Sequence, residues 1–298
     1  MRSSSGRISR RPPSALPVAP VLLPRIGDVL ALVTATTPWS ASATVGAQLA
    51  AHWGGTLTGC FIDPVLRALR GADAEPTVMA LLNEPHAEPA TDPARADFAG
   101  FARRHGVAHA SWTLAQAGLA PTLRQLCAWH DLAVIERDIV EPGDLLDVLG
   151  EALLGCRMPC LILPPDYAAE PRFNRVVVGW NGSLEAARAV HAALPMLAEA
   201  KEVGVLDGMT AGAGDDDDGL PHFDPFEYLE RHGIAAKRHA FHADGAAAGA
   251  ALLEEARRMR ADLLVMGAYS HSRLRERVLG GATRYVLVHA NLPVLMQH

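Results

Sequence analysis

Aromatic residues are scarce, at 5% of the 298-residue chain, and cysteine occurs only four times, at Cys60, Cys127, Cys156 and Cys160. So few cysteines exclude a disulfide-built scaffold and suit a reducing compartment. With so few aromatics, Ala, Leu and Val must fill the core, which fits buried parallel strands flanked by Ala-rich helices. Long hydrophobic runs are missing too. None approaches the ~18–20 residues that span a bilayer, and Val176–Trp180 and Leu263–Met266 are strand-sized, so no membrane association is expected. Positive charge is not in excess: the formal net charge is −6, which argues against general nucleic-acid binding, where a basic surface must displace counterions. Metal-ligand spacings such as C-x2-C or H-E-x-x-H do not occur, so no metal site is expected. His239 and His242 stand three apart on a predicted strand and face opposite ways. Ser270-His271-Ser272 lacks the G-x-S-x-G context of a nucleophile elbow, and no catalytic residue is assigned. The run Asp215–Asp218 reads as a solvated loop.

What is present points to two consecutive α/β units. Length alone favours two domains. Residues 1–27 read as a disordered leader. It carries Arg2, Arg7, Arg10, Arg11 and Arg25 before any acid, and Pro17, Pro20 and Pro24 interrupt its apolar stretch, against a secretory signal. An organelle transit peptide and a mistaken start codon are the other readings. From Asp28 onward, five-residue apolar runs alternate with helical stretches. The first half gives strands at Asp28–Val33, Thr56–Ile62, Val107–Leu114, Leu132–Ile135 and Cys160–Leu163. Helices are predicted at Ser40–His52, Pro93–His105, Leu119–His130 and Asp144–Leu154, with a short one around Val78–Leu82. The second half gives strands at Val176–Gly179, Val203–Leu206, Ala235–Phe241, Leu263–Met266 and Val294–Met296. Its helices are expected at Glu185–Leu197 behind a Ser183 cap, Asp224–His232, Ala246–Arg260 and Ala282–His289. This alternation implies right-handed crossovers and parallel sheets. Asp131-Leu-Ala-Val-Ile matches Asp262-Leu-Leu-Val-Met, and Met158-Pro-Cys-Leu-Ile-Leu matches Leu292-Pro-Val-Leu-Met, so the chain reads as an internal duplication. The units are expected at 28–164 and 175–298, with a proline-rich linker over Pro164–Asn174. Cys156 and Cys160, a C-x3-C pair around Arg157, Met158 and Pro159, read as small buried apolar residues at a helix end and a strand start, with a redox pair as the alternative.

One segment carries chemistry. Gly267-x2-Ser270-x9-Gly280-Gly281 follows the buried strand Leu263–Met266 and leads into a helix. Ligands of open α/β sheets bind at the carboxyl ends of strands. Glycine lets backbone approach a phosphate, and the helix N-terminus offers free N–H groups and a positive dipole end. Thr283 adds a hydroxyl in the first turn, and His271 is placed to project into the loop mouth or simply to lie at the surface. Arg273, Arg275 and Arg277 either face an anion or solvate the loop. Without a ligand, the segment would be a tight strand-to-helix connection.

This segment resembles the nucleotide-binding branch of the universal stress protein family, whose pattern here is G-x2-G-x9-G-[ST]. Spacing is kept, while Ser270 replaces the second glycine and Gly281 the Ser/Thr. The resemblance extends over both halves and implies two tandem, doubly wound, five-stranded parallel-sheet domains, universal-stress-like within the wider adenine-nucleotide α-hydrolase-like group. It implies that ATP, ADP or AMP binds at Gly267, Ser270, His271, Gly280, Gly281 and Thr283, with Mg2+ only as the nucleotide carries it. Asn181 stands where the family often places a base-contacting Asp, and reads equally as a turn residue before the Ser183 cap. The first half has Glu136, Asp138 and Glu141 at the equivalent loop, which would repel phosphate, so it reads as a degenerate, structural copy. The resemblance also implies that the final strands, Cys160–Leu163 and Val294–Met296, pair within the chain as a pseudo-dimer, with a homodimer as a further option. It implies a cytoplasmic stress-response role with an unknown protein partner. The competing readings are a ligand-free interaction scaffold and, more weakly, a nucleotide-dependent enzyme; hydrolysis, with no general base in sight, would at most be slow.

Overall fold

The computed structural model describes residues 23–63, 93–208, 224–243, 245–269 and 281–298. The predicted helix at Val78–Leu82, the acidic run Asp215–Asp218, the arginines 273, 275 and 277, and most of the leader lie outside the described residues.

The described residues form ten strands in one sheet. In the N-terminal half they are β1 (Asp28–Val33), β2 (Thr56–Phe61), β3 (Ala110–Leu114), β4 (Leu132–Glu136) and β5 (Cys160–Leu163). The C-terminal half supplies β6 (Arg175–Trp180), β7 (Glu202–Asp207), β8 (Ala236–Ala240), β9 (Leu263–Gly267) and β10 (Val294–Gln297). The order across the sheet is β3-β2-β1-β4-β5-β10-β9-β6-β7-β8. Each half is parallel within itself, and the halves meet where β5 pairs antiparallel with β10, Leu161 opposite Leu295. The pairing expected of the final strands is therefore present inside the chain. Among the described residues it gives one mixed sheet with β3 and β8 as its edge strands. The inner strands read as unbroken apolar runs because both faces are covered: β4 and β5 are buried at every position.

The helices are α1 (Ala41–His52), α2 (Pro93–Arg104), α3 (Leu119–Leu126), α4 (Gly150–Gly155), α5 (Leu184–Glu199), α6 (Pro225–Arg231), α7 (Gly245–Arg258) and α8 (Gly281–His289). Caps set several starts: Ser40 accepts from the Ala43 N–H, Ser183 from that of Ala186, and Asp224 from that of Phe226. Ends depart from the sequence-based expectation for local reasons. Helix α3 stops at Leu126 rather than His130 because the His130 ring turns back, pairing Nδ1 with the Leu126 carbonyl at 2.9 Å and Nε2 with Thr58 Oγ1 at 2.9 Å. Strand β3 starts at Ala110 rather than Val107 because the Val107 N–H closes the end of α2 on the Ala102 carbonyl at 3.0 Å, across the left-handed Gly106. The segment expected as one helix from Asp144 begins instead with a π-helical turn, Leu145–Leu149, before α4. The wider turn keeps Leu145, Val148, Leu149, Ala152 and Leu153 all on the buried side.

The duplication is visible in hydrogen bonds as well as in sequence. Asp131, just before β4, accepts from the N–H groups of Gly27 and Asp28 at 2.8 and 3.0 Å. Asp262, just before β9, accepts from those of Asn174 and Arg175 at 3.1 and 3.0 Å. In each half, then, one carboxylate ties the start of the fourth strand to the start of the first.

Candidate nucleotide site

In the C-terminal half the strand order reverses between β6 and β9, and the crevice at such a reversal is where open α/β sheets hold ligands. Gly179 of β6 is in register with Met266 of β9, so Trp180-Asn181 and Gly267-Ala268 leave the sheet side by side. Helix α8 begins at Gly281. The structure thus brings the base-side candidate, Asn181, and the strand-end candidate, Gly267, to neighbouring strand ends. Ser270, His271 and Gly280 lie outside the described residues.

The described residues of this crevice are closely occupied. Gly267 has no room for a side chain: a Cβ there would lie 2.6 Å from the Ala186 nitrogen and 2.7 Å from the Glu185 carbonyl carbon. Its bare backbone is needed by the first turn of α5. The Ala268 N–H continues the ladder to the Gln297 carbonyl at 2.8 Å, and the Ala268 carbonyl accepts from His298 Nδ1 at 2.9 Å. The Tyr269 N–H donates to Thr283 Oγ1 at 3.3 Å. Thr283 is 4% exposed, so its hydroxyl faces Tyr269 rather than an open loop mouth. The left-handed residue that such a junction can demand is Tyr269, at φ 58°, a conformation costing a non-glycine residue roughly 1–2 kcal/mol. Tyr269 is buried, and burial pushes its phenol above the usual range. Asn181 is exposed, with its side-chain oxygen accepting from the Ser183 N–H at 3.2 Å, the turn-residue role. Gly281 and Ala282 are partly exposed at the start of α8. That turn is backed by α7, where a Cβ on Gly249 would meet Tyr285 Cβ at 2.6 Å and the Ala282 carbonyl oxygen at 2.8 Å.

The first half answers the same geometry with other residues. Glu136 ends β4 where Gly267 ends β9. Its carboxylate, 9% exposed, accepts from the Ser42 N–H at 2.8 Å and from Thr34 Oγ1 at 2.7 Å. Ser42 sits two residues past the Ser40 cap, as Glu185 sits two past the Ser183 cap, and Glu185 is 2% exposed. Both halves therefore bury one carboxylate between the fourth strand's end and the first helix's first turn. One takes it from the strand and pairs it with a small helix residue; the other takes it from the helix and pairs it with glycine. Glu136, predicted to repel phosphate from a loop, is in fact a strand residue filling the crevice. Glu185 and Tyr269 were not singled out by sequence. A position-by-position alignment of Asp131–Glu136 with Asp262–Gly267, and of Ser40–Ala43 with Ser183–Ala186, would have exposed the exchange.

Among the described residues there is no cluster of three or more His, Cys, Asp or Glu suited to a metal ion, and no helix is long and apolar enough to cross a membrane.

Comparison with known proteins agrees with this architecture. Residues 172–298 match the model of the universal stress protein family. A search of curated sequences returned no match. Solved structures that superpose include a universal stress protein from Archaeoglobus fulgidus, at 14% identity and a TM-score of 0.63, covering 92% of this chain and 96% of that one. Another is a putative universal stress protein from Pseudomonas aeruginosa, at 14% identity and a TM-score of 0.60, covering 91% and 93%. At that identity the likeness is one of fold, and it runs through both halves.

Proposed function

From the premise that residues 172–298 are a universal stress protein domain, we propose that the chain is a cytoplasmic stress-response regulator whose C-terminal half binds an adenine nucleotide, ATP, ADP or AMP, in the crevice between β6 and β9. The observation that carries the reading is the convergence of Asn181 and Gly267 at adjacent strand ends where the order reverses. In this reading the phosphates rest on the first turn of α8, from Gly281, and on the loop holding Ser270, His271 and Gly280, while Thr283 braces the junction from behind. Gly267 serves by letting α5 approach. Asn181 leaves its turn to meet the base edge, exchanging one hydrogen bond for another. Mg2+ enters only with the nucleotide, and without a general base in reach turnover is slow at most.

A ligand-free interaction scaffold is the second reading. It is favoured by one specific pair of contacts: the Tyr269 N–H is bonded to Thr283 and the Asn181 side chain to Ser183, so both ends of the crevice are satisfied internally.

One assay separates the two. The protein is purified without added nucleotide, denatured, and the supernatant chromatographed; ATP is then titrated calorimetrically into the native chain. Stoichiometric adenine nucleotide or a saturable heat supports the first reading, with Gly280→Val abolishing uptake and Asn181→Ala weakening it ~5-fold, the worth of about one hydrogen bond. Neither nucleotide nor heat would leave only the scaffold.

A further inference from the structure

Three of the four cysteines meet beside the strand that joins the two halves. Cys160 lies on β5, opposite Met296 of β10. Cys156 lies at the end of α4, and the two sulfurs are 3.9 Å apart. Both approach the Met158 carbonyl at 3.6 Å. The third, Cys127, caps the end of α3 with its S–H donating to the Arg124 carbonyl at 3.1 Å, and it lies near enough to Cys156 to help lower that thiol. Cys156 and Cys160 are each 1% exposed, whereas Cys127 is half-buried, so Cys127 is the member that reaches the surface. Two buried thiols forming a simple packing pair would need neither the shared carbonyl nor a third thiol leading outward.

We propose that Cys156 and Cys160 form a peroxide-oxidised dithiol site, with Cys127 at its entrance. The Cys156 thiolate attacks one oxygen of hydrogen peroxide. A sulfur–oxygen bond forms, the O–O bond breaks, and the departing hydroxide takes a proton to become water, leaving Cys156 as a sulfenic acid. Cys160 then gives up its proton and attacks the Cys156 sulfur. The S–S bond forms, the sulfenic oxygen leaves as hydroxide and is protonated to water. Two thiols are oxidised by two electrons in all, and one peroxide is reduced to two waters.

The local chemistry fits the division of roles. The Cys160 S–H donates to Cys156 and holds the Cys156 thiol down at about 7, against the opposing effect of burial, while Cys160 keeps its own proton to well above the usual thiol range. Closing 3.9 Å to a bond of about 2.05 Å requires the sulfurs to rotate toward one another within a short turn. That turn is held from the other half by Gln297 Nε2 donating to the Arg157 carbonyl at 2.9 Å.

Cys60 supplies the internal control. It is no more exposed than Cys156, at 1%, but burial alone acts on its thiol and pushes it up to about 12, so little of the reactive anion forms. The native full-length chain is exposed to graded hydrogen peroxide, quenched with an alkylating reagent, and mapped by peptide mass spectrometry. A Cys156–Cys160 bridge forming at least tenfold faster than Cys60 is consumed is the expected result, with Cys160 surviving the same dose in Cys156→Ser. The proposal is overturned if no bridge forms, if it forms only at the pace of Cys60, if Cys127 is the bridged partner in the native chain, or if Cys160 is lost equally fast in Cys156→Ser.

Discussion

Gly267→Ala is the change that most directly tests why a glycine ends β9. The added methyl would lie 2.6 Å from the Ala186 nitrogen and 2.7 Å from the Glu185 carbonyl carbon, where ordinary contacts begin at 3.4 Å. Both are backbone atoms in the first turn of α5, so the helix itself must withdraw by roughly 0.8 Å, the difference between 3.4 and 2.6. Overpacking of that kind costs about 1–3 kcal/mol, against a gain of roughly 0.4–1 kcal/mol from restricting the unfolded chain. The expected net loss of about 1–2 kcal/mol corresponds to a fall of ~2–8 °C in Tm, read by circular dichroism without any ligand. Gly100→Ala is the matched control. It sits in α2 with only the tip of Arg104 nearby, at 3.6 Å, and is expected to hold or raise Tm. The first half suggests the compensating experiment. Gly267→Glu alone crowds a second carboxylate beside Glu185, whereas Gly267→Glu with Glu185→Ser recreates the Glu136–Ser42 arrangement and is expected to recover at least ~1 kcal/mol of the loss. Were Gly267→Ala as stable as the parent in the absence of nucleotide, the close-packing account would be wrong, and the glycine would have to be explained by a ligand.

Glu136→Ala removes the acceptor of the fully buried Ser42 N–H and is expected to cost about 1–3 kcal/mol in urea denaturation; an effect under ~0.5 kcal/mol would show that bond to be dispensable. Leu295→Pro cannot sustain the ladder that joins β10 to Leu161 and Val265, so soluble expression is expected to collapse, and a well-folded product would contradict the single-sheet arrangement. Glu199→Ala breaks the link from Glu199 to His52 and Trp53, but the His52 and Glu199 side chains are 54% and 42% exposed, so stability should move by less than ~1 kcal/mol. A lowered thiol favours the reactive anion above its titration point, so the rate of Cys156 oxidation by peroxide should climb as pH rises through about 7 and level off beyond it; a flat profile from pH 6 to 8 would argue against a thiolate nucleophile.

The strands were legible because parallel-sheet interiors leave unbroken apolar runs, and the Ser183 cap was legible because capping is a matter of a few adjacent residues; Ser40 and Asp224, read as the first residues of their helices, prove to be caps too. The internal pairing of β5 with β10 followed from the duplication and the family resemblance. Less of the site could be read. Glu136 finds Ser42 across 94 positions of sequence, and no local pattern announces that meeting. Gly267 carries the same letter whether it faces a phosphate or a helix backbone, so its role depends on the distance to α5. Thr283 looked like an available hydroxyl because its neighbour Tyr269, left-handed and buried, could not be placed from the motif alone. The π-helical turn at Leu145–Leu149 shifts the spacing on which helical periodicity depends.

Because β5 and β10 run in opposite directions, the strands of the two halves deliver their carboxyl ends to opposite rims of the sheet. A molecule seated on one rim is out of reach of the other, so the halves can diverge without interfering, one filling its crevice with a glutamate from the strand while the other keeps a strand-end glycine and takes its glutamate from the helix. The two thiols lie alongside the pair of strands at which these opposite directions meet.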